Sequence, residues 1–109
     1  MDEQLNVTSL KIKKFGQPKN GVLGLASLVL LNSLMIHDIK IVQLSNKRIL
    51  SFPAQRILKA EETEDGISEP YIYSDIVHPI NSQFRRYLED IIFNLFDSME
   101  GGTTSEQNY

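Results

Sequence analysis

Histidine and aspartate stand close together twice in this chain, at His37-Asp38 and across Asp75-Ile76-Val77-His78. Two arginines, Arg85 and Arg86, sit side by side in a stretch of helical periodicity. A His-Asp dipeptide serves metal-dependent hydrolysis when further His and Asp ligands surround it. This chain has only two histidines in all, and on a strand neighbouring side chains point to opposite faces, so His37 and Asp38 would not share one ion. A Ser–His–Asp relay through His78 and Asp75 lacks a Gly-x-Ser-x-Gly elbow, and the two residues lie on extended chain that stops at Pro79. The pattern therefore assigns His37, Asp38, His78, Pro79 and Asn81 structural work, with ring nitrogens bonded to backbone or carboxylate. With no cysteine, no zinc-ligand spacing and no glycine-rich loop ahead of a helix, neither a metal nor a cofactor nor a small-molecule substrate is expected. Nothing in the residues reads as an enzyme.

The arginines point elsewhere. Arg85 and Arg86 fall in the first turn and a half of the helix, where cations oppose the macrodipole by a few tenths of a kcal/mol. Pairing with Glu89 and Asp90, each four residues on, would return roughly 0.3 kcal/mol at best. An anion at that end would meet two guanidiniums and free backbone N–H groups.

Charge is unevenly distributed along the chain. The 109-residue chain carries a net −3, yet residues 1–60 balance to +6 and residues 61–109 to −9. Lys11, Lys13 and Lys40 alternate with apolar residues in that basic half, which makes them candidates for a basic surface that meets phosphate. The longest apolar run, Val22 to Leu31, is ten residues, against about 20 for a membrane span. The acidic first residues carry no apolar stretch of the signal-peptide kind. A protein free in the cytoplasm, with no membrane partner, is expected.

The elements that would position these residues are legible from period and punctuation. Val7 to Lys14 alternates as a strand with one wet face, and Asn20-Gly21 makes a hairpin turn into Val22 to Leu31. Asn32-Ser33 turns into a third strand, Leu34 to Leu44, with Ile36 and Val42 on one face and Met35, Ile39 and Ile41 on the other. Arg48 to Phe52 is a fourth strand ended by Pro53, residues 57–70 an acidic loop, and Tyr71 to Val77 a fifth strand. Phe84, Tyr87, Leu88, Ile91, Ile92, Leu95, Phe96 and Met99 form a helical stripe, capped by Asn81 or Ser82 and ended by Gly101-Gly102. These elements predict an α+β fold, a small antiparallel sheet of four to five strands with one long C-terminal amphipathic helix packed on it. A single domain over 7–100 is predicted, flanked by a flexible segment at 1–6 and a disordered tail at 101–109. One helix covers one face, and the central strands are apolar on both. A homodimer, by sheet packing or edge pairing, is the simplest cover for the second face.

Three stretches carry a family resemblance. Ile36-His37-Asp38-Ile39-Lys40-Ile41, Phe52-Pro53-Ala54-Gln55-Arg56 and Asp75-Ile76-Val77-His78-Pro79-Ile80-Asn81-Ser82, in that order, resemble the SpoVG family of small bacterial regulators. The resemblance runs from about Val7 to Phe96. It implies a dimeric cytoplasmic protein tied to septation, sporulation or virulence regulation that binds DNA and RNA. Carried onto this sequence, the family's nucleic-acid positions fall at Gln55, Arg56, Arg85 and Arg86. Gln55 stands where the family usually has a basic residue, and the loop at 57–70 is longer and more acidic than usual. The rival expectation is a protein-interaction adaptor of division or sporulation, working through a sheet edge or the acidic loop without nucleic acid.

Overall fold

A computed structural model describes residues 6–58 and 71–109. Eight elements follow in order: β1 (Val7–Lys19), β2 (Val22–Leu30), β3 (Leu34–Gln43), β4 (Arg48–Ser51), β5 (Ala54–Leu58), β6 (Tyr71–Asp75), α1 (Ser82–Asp97) and β7 (Thr104–Asn108). Five of the strands form one antiparallel sheet in the order β4-β3-β2-β1-β7, while β5 and β6 pair as a separate two-stranded ribbon. This is the α+β fold that the periodicity predicts, with two differences of assembly. The fifth strand of the sheet is β7, not residues 71–77, and Pro53 breaks the chain between β4 and β5 so that β5 leaves the sheet and pairs with β6. Most of the acidic loop, residues 59–70, lies outside the described residues.

Both hairpins of the sheet close with paired positive φ. Asn20 and Gly21 stand at 53° and 80°, as their identities favour. The second turn centres one residue earlier than predicted, on Leu31 and Asn32, both at 52°, and the Ser33 N–H donates to the Leu30 carbonyl at 2.9 Å. A leucine in the left-handed region is a strained choice there.

β3 contains the main surprise of register. Ala26 pairs with Ile39 and Leu28 with Ile36, so His37 and Asp38 together oppose the single residue Ser27. Asp38 takes φ 60°. This β-bulge interrupts the two-face alternation on which the sequence reading of His37 and Asp38 rests, and both side chains are exposed. It also swaps the faces assigned upstream: Ile36 joins Ile39 and Ile41 on the helix side, and Met35 pairs with Val29 on the open side.

The core lies between the sheet and α1. Leu10, Ile12, Ala26, Leu28, Ile39 and Ile41 project from the three central strands onto Leu88, Ile92, Leu95 and Phe96. Burial of each large side chain contributes about 1.5–3 kcal/mol. Gly24 lets the strands close up beneath Phe96, since a Cβ there would stand 2.5 Å from the Lys13 carbonyl oxygen and 3.3 Å from the Phe96 ring.

Past the helix the expectation of disorder is overturned. Gly101-Gly102 does not cap α1. The cap is Ser98, whose N–H reaches the Leu95 and Phe96 carbonyls. Gly102, at φ 82°, turns the chain back along β1 instead. Its N–H donates to the Lys14 carbonyl at 2.8 Å, and the Lys14 N–H returns a bond to Thr103 at 2.9 Å. Thr104–Asn108 then pairs with β1 from Lys13 to Ser9. Polar residues, most of them of low strand propensity, are held by the backbone groups of an otherwise open edge.

Candidate functional site

The start of α1 is assembled from two stretches of chain, the corner after β4 and the segment that runs from β6 into the helix. Pro53, which has no N–H of its own, accepts from the N–H groups of Ile76 and Val77 at 2.9 and 3.4 Å, so the corner after β4 holds the segment after β6. His78 places Nδ1 3.2 Å from the Pro79 carbonyl oxygen and Nε2 3.7 Å from Asp75. Asn81, in extended conformation, accepts the Phe84 N–H at 2.7 Å and caps the helix. No acidic residue occupies the first turn of α1.

Arg85 follows the cap. Its guanidinium stacks over the Phe52 ring, 5.4 Å from the centroid, and is half-buried there. Arg86 is exposed. Among the described residues the ion pairs are Arg48–Asp97 and His78–Asp75, so the intrahelical pairs with Glu89 and Asp90 are not formed. Phe52 links Arg85 to the ribbon, where Gln55 opposes Ser74 and Arg56 opposes Tyr73. Of Arg56 the backbone position alone is described.

Lys11, Lys13 and Lys40 fall elsewhere. They are exposed on the sheet face away from the helix, with Lys13 and Lys40 flanking Leu25 in one cross-strand row. The seven residues predicted for nucleic-acid contact thus fall in three places: Arg85 and Arg86 at the helix start, Gln55 and Arg56 on β5 of the ribbon, and the three lysines on the open sheet face.

Two further cations of the basic half are committed to structure. Lys14 reaches across to the end of α1, donating from Nζ to the carbonyls of Phe96 at 3.2 Å and Met99 at 2.9 Å while lying over the Phe96 ring. Arg48 grips Asp97 with two bonds, 2.6 and 3.1 Å, and stacks on Phe93. That bond is the main reason the Asp97 carboxyl is held below its usual range and the guanidinium raised. Neither role follows from local sequence, because each partner lies more than 45 residues away.

Beside the helix start lies a feature that periodicity did not reveal. A groove of about 550 Å³ runs between the β2–β3 turn and α1, with Leu34, Phe52, Pro79, Ile80, Phe84 and Tyr87 among its walls. Ile80 is 88% exposed and Leu34 59%. The sequence signal for it was two apolar residues placed beside turn signals, Leu34 after Asn32-Ser33 and Ile80 after Pro79.

The sequence pattern that defines the SpoVG family matches residues 5–98, spanning the sheet strands β1 to β4, the ribbon and the helix. The chain belongs to the SpoVG family. A Staphylococcus aureus relative named "Putative septation protein SpoVG" is 26% identical over 96 residues, covering 88% of this chain and 84% of the relative. Relatives of the same name from Macrococcus caseolyticus and Clostridium novyi are 27% and 22% identical, covering 88% and 95% of this chain and 73% and 92% of their own. β7 lies outside the family match, as does the Gly101-Gly102 turn that leads to it.

Proposed function

We propose that this SpoVG-family chain is a homodimeric cytoplasmic regulator that binds DNA or RNA and influences septation, sporulation or gene expression, and that it is a binding module and not an enzyme. The observation that carries the reading is the unbalanced positive charge at the helix start. Arg85 and Arg86 oppose the macrodipole, have no carboxylate within ion-pair distance among the described residues, and one of them is already oriented by Phe52. A phosphate docked there offsets both the guanidinium charge and the dipole. Gln55 and Arg56, on the ribbon strand that follows Phe52, and Lys11, Lys13 and Lys40, on the far face, would extend the surface. The exposed apolar side chains Leu31, Leu34, Met35 and Ile80 support dimerisation by offering a surface for a second copy.

The test is fluorescence anisotropy of labelled single-stranded RNA, single-stranded DNA and duplex DNA at about 50 and 200 mM salt, with the Arg85→Ala/Arg86→Ala variant alongside. Each phosphate contact on duplex DNA contributes a slope of about 0.9 log units of affinity per log unit of salt. Loss of binding in the variant, with a shallower slope, is the expected result. Absence of binding to all three probes at low salt overturns the reading. It would favour the second one, an adaptor that takes a partner protein in the apolar groove, which the exposure of Ile80 and Leu34 supports.

A further inference from the structure

β1 is an edge strand that the chain itself covers, and the cover fits poorly. The ladder pairs Leu10 with Gln107, Lys11 with Glu106, Ile12 with Ser105 and Lys13 with Thr104. Flanking bonds from the Lys14 N–H to Thr103 and from the Tyr109 N–H to Thr8 fix its phase. By the alternation of an antiparallel ladder, Ser105 and Gln107 exchange backbone bonds with Ile12 and Leu10, and the Glu106 N–H points outward. On the open face Glu106 matches Lys11 in charge. On the helix face the match fails, because Ser105 and Gln107 stand beside Ile12 and Leu10, which are wholly buried. None of the side chains of β7 is buried, so it is held almost entirely by main-chain bonds. Gly101 and Gly102 supply the turn that returns it to the edge.

We propose that β7 is a displaceable cover over a strand-accepting edge, and that β1 accepts an extended segment of a partner protein in which acidic residues alternate with apolar ones. Acidic side chains would take the positions of Thr104 and Glu106, beside Lys13 and Lys11. Apolar ones would take those of Ser105 and Gln107, extending the core past Ile12 and Leu10. Pairing of β1 with a second copy of itself is disfavoured, because an antiparallel match would bring Lys11 and Lys13 of the two copies together. This edge is separate from the arginines at the helix start, although its Lys11 and Lys13 also belong to the basic face that the proposed function extends to phosphate.

The experiment uses the full chain and two proline variants. Ser105→Pro/Gln107→Pro removes the two N–H groups that face β1, whereas Glu106→Pro removes one that faces outward. The probe is a fluorescein-labelled peptide of residues 103–109 carrying Ser105→Val and Gln107→Val, read by anisotropy. Amide exchange at Leu10 and Ile12 reports whether the edge has opened. The double variant should exchange faster at both amides and bind the peptide at least about tenfold tighter than the parent chain, since the parent edge is covered most of the time. Glu106→Pro, which removes the charge match to Lys11 but no bond to β1, should lie much closer to the parent than to the double variant. Replacing glutamate by lysine in the peptide should weaken binding several-fold. Equal peptide affinity in all three proteins, unchanged exchange in the double variant, or an opened edge that does not take the peptide would each overturn the proposal.

Discussion

The two ends of α1 treat positive charge in opposite ways. At the C-terminal end the helix has no basic residue of its own in the last turn, and the sheet supplies the charge: Lys14 donates to two terminal carbonyls and Arg48 holds Asp97. Those cations complement the macrodipole. At the N-terminal end the helix carries Arg85 and Arg86 against its own dipole, with one stacked on Phe52 and neither in an ion pair among the described residues. Cations at one end are consumed by the fold. Those at the other stand without a carboxylate partner among the described residues, and a charge count along the chain does not separate the two kinds.

Four variants test that contrast. Gly24→Ala should act most strongly, because the new methyl meets the Lys13 carbonyl and the Phe96 ring just where sheet and helix end converge. A loss of about 1–3 kcal/mol in urea denaturation is expected. Lys14→Met keeps the aliphatic stem but removes both bonds to the helix carbonyls, and about 1–2 kcal/mol should be lost without effect on nucleic-acid affinity. A stability change as small as that of an ordinary surface lysine would break the contrast.

The Arg48–Asp97 pair gives a smaller, pH-dependent effect. Because the folded carboxyl is held below its unfolded value, the pair's contribution is present above the usual carboxylate range and fades as pH falls through the lowered value. With Asp97 largely solvated, that contribution is below about 1 kcal/mol. Parent and Asp97→Asn should differ in thermal midpoint at pH 7 and converge as pH falls below the usual carboxylate range. The smallest effect sharpens the comparison most. Arg85→Ala/Arg86→Ala should leave stability unchanged or raise it by a few tenths of a kcal/mol, while reducing binding to labelled RNA or DNA. A clear loss of stability would mean that these arginines are structural like Lys14.

The division also explains what was readable in advance. Asn81 as a cap, the apolar stripe of α1 and the Asn20-Gly21 turn depend on neighbours within four residues, and all stand as the local pattern predicts. Met35 and Ile36 take the faces opposite to those that strict alternation predicts, because one bulge, at His37-Asp38, shifts every side chain before it by a face. The groove has no complete local signature, because its walls come from three separate stretches of chain.

Sequence alone determined the α+β class, the order of the strands in the first two hairpins, the capped amphipathic helix and the uneven charge. These rest on period, turn chemistry and composition, which act over a few residues. Tertiary structure decided which cations are free, where β3 breaks register, that β5 and β6 leave the sheet, and that Thr104–Asn108 becomes a strand. The physical reason is the same in each case. Polar backbone and charged groups take whichever partner the fold brings within reach, and a strand of Thr, Ser, Glu, Gln and Asn forms only because the edge of β1 is there to receive it.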